Sequence, residues 1–88
     1  MSRGVRVPKV IVEVMPKEVL LDPAGKATAR ALQRFGDGEI TDVRIGKRFE
    51  ITIDGEVTPK LLEHINEVAK DVLSNDVIED VISIRVAD

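Results

Sequence analysis

The chain has 88 residues, the size of one domain, with no cysteine and only two aromatic residues, Phe35 and Phe49. Disulfides and thiolate metal sites are therefore excluded, and any core must be built from aliphatic side chains. With 13 Lys plus Arg against 16 Asp plus Glu, the formal charge of -3 argues against a general phosphate-backbone binder.

The opening MSRGVRVPK gathers Arg3, Arg6 and Lys9 and lacks the apolar run of a secretory signal, so a cytoplasmic protein is expected. Residues 1–8 read as a flexible extension of a single domain spanning residues 1–88. No apolar run approaches the roughly 18 residues needed to cross a bilayer, so no membrane partner is expected. The stretch VIVEVM over residues 10–15 is β-rich and mostly apolar, with Glu13 breaking one face, which predicts a central strand covered on one side.

In DPAGKATARALQRFG, Asp22 is placed to cap a helix and Pro23 suits its first turn, where the missing N–H is harmless. Ala24, Ala27, Thr28, Ala31 and Phe35 recur at helical spacing with Leu32 beside them, which predicts an inner face of small residues lying close to a sheet. Gly36 and Gly38 supply the stop.

Two strands are expected next. Thr41, Val43 and Ile45 share one parity, and Phe49, Ile51 and Ile53 another. Pairing Ile45 opposite Phe49 puts both sets on one face and leaves Gly46, Lys47 and Arg48 in the loop, so the hydrophobic register favours a three-residue hairpin loop or a bulge. After Asp54-Gly55, Thr58 and Pro59 open a second helix whose stripe runs through Leu61, Leu62, Ile65, Val68, Ala69, Val72 and Leu73. Asn75 is expected to end it in a left-handed conformation. VISIRV closes the chain as a strand, with Ile82, Ile84 and Val86 facing one way.

The order β-α-β-β-α-β predicts an α+β, ferredoxin-like fold, an antiparallel sheet with two helices on one face. Glu13, Arg44, Glu50, Thr52, Ser83 and Arg85 are then expected on the open face. Ordering costs roughly 1.5 kcal/mol per residue, so a chain this short has a thin stability surplus, and association with other chains is a natural source of more.

Groups for catalysis are scarce. His64 is the sole histidine, on a helix beside Glu63 and Glu67, and reads as a solvent-facing side chain. Asp76, Glu79 and Asp80 are the acids that could converge on Mg²⁺, but they are more simply solvated or paired with Lys or Arg. Ser2, Ser74 and Ser83 have no histidine at a motif spacing, and RIGK lacks the P-loop pattern. An RNA-recognition domain would stack bases on strand aromatics, yet the only strand aromatic, Phe49, is expected under the helices. An acylphosphatase-like enzyme would need a loop of backbone donors beside Arg44 or Lys47 that is not evident. A small-molecule-binding regulatory domain of the same topology stays open as the alternative. With so few groups for proton transfer, the charged run Arg44, Gly46, Lys47, Arg48 and Glu50 reads as a docking surface rather than an active site.

Taken together, LLDPAGKATARAL, DVRIGKRFE and NDVIEDV resemble the PurS family, the small subunit of phosphoribosylformylglycinamidine synthase. The L-D-P-x-G start of the family's first helix is met by Leu21, Asp22, Pro23 and Gly25. Its V-R-x-G-K signature falls on Val43, Arg44, Gly46 and Lys47, and its N-x-V-I-E-D turn on Asn75, Val77, Ile78, Glu79 and Asp80. The resemblance implies a non-catalytic accessory subunit of de novo purine biosynthesis, with no catalytic, cofactor or metal residue of its own. In the family a large synthetase subunit uses ATP and Mg²⁺, a glutaminase subunit releases ammonia, and the small subunit supports assembly and ammonia transfer between them. It also implies a homodimer or higher homo-oligomer formed by joining the sheets, and no nucleic-acid partner. The subunit-interface candidates are Arg44, Gly46, Lys47, Glu50, Asn75, Glu79 and Asp80.

Overall fold

The computed structural model describes residues 7–87; Ser2, Arg3, Arg6 and most of the expected N-terminal extension lie outside the described residues. Pro8 already belongs to the fold, since its carbonyl accepts the Ile53 amide at 3.0 Å. The element order is β1 (Lys9–Pro16), α1 (Pro23–Arg34), β2 (Lys47–Thr52), α2 (Pro59–Val68) and β3 (Glu79–Ala87). A single π-helical turn, Ala69–Leu73, prolongs α2. The α+β class and the antiparallel sheet are those expected. The sheet has three strands in the order β2-β1-β3, both pairings antiparallel.

Strand β1 is central because it is apolar on both faces. Val10, Val12 and Val14 point toward α2 and, with Ile65 and Ala69, form the buried core. Phe49, Ile51, Leu61, Leu62, Val81 and Ile84 pack around it. Burying an aliphatic side chain of this size stabilises by about 1.5–3 kcal/mol, so this layer supplies most of the hydrophobic stabilisation. On the opposite face the register aligns Glu13, Glu50, Thr52, Ser83 and Arg85, as expected. At its centre Ile11, 1% exposed, lies between Glu50 and Arg85. Ion pairs of Glu50 with Arg48, Glu50 with Lys9 (3.5 Å) and Glu13 with Arg85 (2.8 Å) surround it.

Four expectations are corrected. The segment 41–45 forms no strand, so the hairpin with Ile45 opposite Phe49 does not exist and Arg44 is not on the open sheet face. The reason is competition: Asp22 Oδ2 accepts the Ile45 amide at 3.0 Å, so this backbone is committed to the start of α1.

Helix α1 contributes no residue to the core cluster. Its buried face is Gly25 and Ala29, turned away from the expected alanine face, and Phe35 is 85% exposed. The radius of gyration, 17.0 Å, exceeds the roughly 12 Å of a compact domain of this length, and the molecule is a 47 × 36 × 16 Å plate. The expected sheet with both helices in one core is thus a sheet with one helix in the core and α1 packed on 40–45.

Strand β3 carries a register shift opposite Glu13/Val14, where Val14 faces Val81 and Ile82 becomes the extra residue, 60% exposed. The face seen by α2 is therefore Val81 and Ile84 with half-exposed Val86, rather than Ile82, Ile84 and Val86. The π turn similarly rotates Val72 out of the stripe, leaving it 74% exposed.

Candidate interaction site

The two segments LDPAG and VRIGK, far apart in sequence, dock on one another. Asp22 anchors the joint: Oδ1 accepts Gly25 N–H at 3.0 Å as the N-cap of α1, and Oδ2 accepts Ile45 N–H at 3.0 Å. These backbone donors, Ile45 first and Gly25 second, hold its carboxyl below the ordinary value of 3.8, with the Arg44 charge adding to them. At Gly25 a Cβ would collide with the Val43 carbonyl and the Asp22 carboxylate, so the close approach of 43 to the helix requires glycine.

Arg44 is half-buried and donates to the Pro16 carbonyl, tying the same segment to the end of β1. Gly46 follows, where the Val14 carbonyl and the Met15 sulfur occupy the place of a Cβ. Arg44 and Gly46 thus brace the joint.

Lys47 and Glu79 belong to a second cluster. Lys47 Nζ reaches Glu79 Oε2 at 3.0 Å across the end of β1. Glu79 Oε1 also accepts Asn75 N–H at 2.9 Å. Its carboxyl lies below the ordinary 4.5, first through that amide and then through Lys47. Asn75 closes the turn from both ends: its Oδ1 accepts Val77 N–H at 3.1 Å and its carbonyl accepts Glu79 N–H at 2.7 Å. The expectation that Asn75 ends the helix in a left-handed conformation is corrected: no non-glycine residue among those described has positive φ, the helical turn ends at Leu73 with extended Ser74 as its cap, and Asn75 instead forms an Asx turn in the connection to β3.

Asp80 pairs with Lys17 at 2.7 Å. Glu50 stands apart on the open sheet face, its carboxyl lowered by the hydrogen bond and charge of Arg48 and then by Lys9. The seven candidates therefore fall into three places: the joint (Arg44, Gly46), the turn before β3 (Lys47, Asn75, Glu79, Asp80) and the sheet face (Glu50). Sequence reasoning missed Asp22 as a long-range anchor, although its place in the L-D-P-x-G run was the available signal.

Chemically, the joint consists of charges satisfied within the chain. His64 is exposed on α2, and no group of three His, Asp or Glu side chains converges among the described residues. No helix among them is long and apolar enough to cross a membrane.

The family model PurS, described as phosphoribosylformylglycinamidine (FGAM) synthase, matches residues 9–87. The chain is 47% identical over 72 residues to phosphoribosylformylglycinamidine synthase subunit PurS of Mycobacterium leprae, covering 82% of this chain and 87% of that one. Among solved structures it superposes on Methanocaldococcus jannaschii PurS, a subunit of formylglycinamide ribonucleotide amidotransferase in the purine biosynthetic pathway. That match has a TM-score of 0.76 at 32% identity and covers 92% of this chain and 96% of the other. It also superposes on B. subtilis PurS, with a TM-score of 0.75 at 40% identity, covering 92% and 99%. Both docking segments and the turn before β3 lie inside the matched region.

Proposed function

The chain belongs to the PurS family, and from that membership we propose that it is a non-catalytic subunit of phosphoribosylformylglycinamidine synthase in purine biosynthesis. In this reading it works in the cytoplasm beside a large synthetase subunit, which uses ATP and Mg²⁺, and a glutaminase subunit, which releases ammonia. It holds the two in register for ammonia transfer and binds no cofactor itself.

The observation that carries the reading is the family match over residues 9–87. It is supported by the use of the polar groups in the family-like segments. Asp22, Arg44, Asn75 and Glu79 are engaged in fixing the chain's own shape, as a spacer requires and a catalyst does not. We propose further that the chain acts as a homodimer or higher oligomer, with the outer edges of β2 and β3 available to join sheets.

Reconstitution tests this. The isolated chain should show no turnover, and adding it to the two larger subunits should restore glutamine-dependent product formation while leaving turnover with free ammonia largely unchanged. Glutamine-dependent turnover that is the same with and without this chain would refute the reading.

A further inference from the structure

An aspartate followed by glycine has a reaction open to it that other aspartates largely lack. The amide nitrogen of the next residue can attack the side-chain carboxyl, and a side chain on that residue obstructs the approach. Asp42, Asp71, Asp76 and Asp80 each precede a β-branched valine, and Asp22 precedes Pro23, which has no N–H. Asp37 and Asp54 precede glycine.

The fold treats these two places differently. Ring closure needs rotation about the aspartate Cα–C bond, which swings the residue's own carbonyl. At Asp37 that carbonyl accepts Ile40 N–H at 3.0 Å, and Asp37 N–H donates to the Leu32 carbonyl at 3.2 Å. Asp37 is also half-buried. Asp54 and Gly55 are both exposed, and among the described residues no backbone hydrogen bond holds either of them. Nothing lies within 4 Å of the place a Gly55 Cβ would take, and its φ of 109° is one that glycine adopts freely. The bend is tethered on each side, by Ile53 N–H to the Pro8 carbonyl at 3.0 Å and by the Thr58 cap on Leu61 N–H at 3.1 Å. It is a loose tip between two fixed points.

We propose that Asp54-Gly55 is a site of spontaneous isoaspartate formation, chosen by the fold over Asp37-Gly38. The Gly55 nitrogen bonds to Asp54 Cγ, and the carboxyl hydroxyl leaves with the amide proton as water, giving a succinimide. Water then opens the ring. Breaking the bond from nitrogen to Cγ restores aspartate. Breaking the bond from nitrogen to the Asp54 backbone carbonyl carbon routes the main chain through Cβ and Cγ. That product has the mass of the parent, one more backbone atom and a free carboxylate on Cα. This carboxylate is the group that isoaspartyl methyltransferases esterify, so an aged chain becomes a substrate for that enzyme class. Both tethers lie outside the altered bonds, and the modified chain keeps its fold.

The test is incubation of the full folded chain at body temperature and neutral pH over several weeks, followed by peptide mapping. Tryptic peptides 49–60 and 35–44 carry Asp54 and Asp37 separately, and electron-transfer fragmentation tells isoaspartate from aspartate in each. Isoaspartate should accumulate at 54 roughly tenfold faster than at 37, because two backbone hydrogen bonds must open at Asp37 first. In a chain kept unfolded in urea the two rates should converge. Methyl transfer from S-adenosylmethionine by a purified isoaspartyl methyltransferase should rise as the parent ages. It should stay low in Asp54→Glu, whose longer side chain closes a less favourable ring, with circular dichroism confirming that this variant is folded. Equal rates at both places in the folded chain, or no isoaspartate at 54, overturn the inference. A preference for 54 that persists in urea overturns it too, since neighbouring sequence rather than the fold would then be the cause.

Discussion

The carboxylate of Asp22 holds the amide of Ile45, 23 positions away, at 3.0 Å while capping its own helix at Gly25. One side chain thus fixes where α1 starts and where the segment after it must run. Asp22→Ala should lower the thermal midpoint clearly more than Asp37→Ala. Asp22→Asn should fall between, because an amide oxygen still caps but serves two backbone donors less well than a carboxylate. Circular dichroism melts decide it, and equal midpoints for Asp22→Ala and the parent would remove the joint from the fold's supports.

Glycine substitutions separate crowding from backbone strain. Gly46→Ala places a methyl on the Val14 carbonyl and should cost about 1–3 kcal/mol, as overpacking does. Gly36 has φ 99° with open space around it, so Gly36→Ala should cost roughly 1 kcal/mol through the left-handed backbone alone. Gly38→Ala meets neither condition and should be close to neutral. Urea midpoints should rank the three in that order.

Acid should loosen the joint and the turn together. Asp22 and Glu79 both titrate lower in the folded chain than their ordinary 3.8 and 4.5. The unfolded chain therefore takes up protons first as pH falls, and stability rises with pH through this range. The contribution is whole above the unfolded values and is lost as pH drops through the folded ones. Urea unfolding between about pH 6 and pH 3 should show a declining midpoint. Glu79→Gln should decline less steeply, and a slope equal to the parent's would show that Glu79 carries none of the effect.

Much of this was legible in local chemistry. The caps at Asp22 and Thr58, the proline starts, the central position of VIVEVM and the covered side of Phe49 all follow from short-range rules. What failed required knowing the partner. Thr41, Val43 and Ile45 alternate like a strand, yet the Asp22 carboxylate at the start of α1 claims the Ile45 amide that a ladder would have used. Phe35 sits at a helical spacing from Ala24 and Ala31, but Gly25 permits the close approach of Val43, and that contact rotates the helix so that Phe35 faces out. The β3 bulge and the π turn each insert one residue, and neither insertion leaves a periodicity signal. At the candidate site, the bracing of the chain by Asp22, Arg44, Asn75 and Glu79 depends on partners distant in sequence or on turn geometry, and neither leaves a periodicity signal.

The contrast between Phe35 and the core gives a direct measurement. Ile65→Ala removes a 5%-exposed side chain between α2 and Val10, Val12 and Val14, and should cost about 2–5 kcal/mol. Phe35→Ala should stay within about 0.5 kcal/mol in the monomer, as exposed positions do. A large loss at Phe35 under dilute conditions would place α1 in the core after all.

Arg44 and Lys47 differ in what they hold, and assembly assays should separate them. Arg44 is half-buried and donates a hydrogen bond to the Pro16 carbonyl, so Arg44→Ala should lower thermal stability and complex formation in step. Lys47 is 54% exposed, and its ion pair with Glu79 is worth up to about 1 kcal/mol once solvent screening is allowed for. Lys47→Met should therefore leave the melt nearly unchanged. Glu79→Ala should lower it further than Lys47→Met, because the Asn75 amide loses its acceptor as well. If Lys47→Met reduces binding of the larger subunits at constant stability, Lys47 contacts a partner directly. If Glu79→Ala melts no earlier than Lys47→Met, the turn before β3 is held by Asn75 alone.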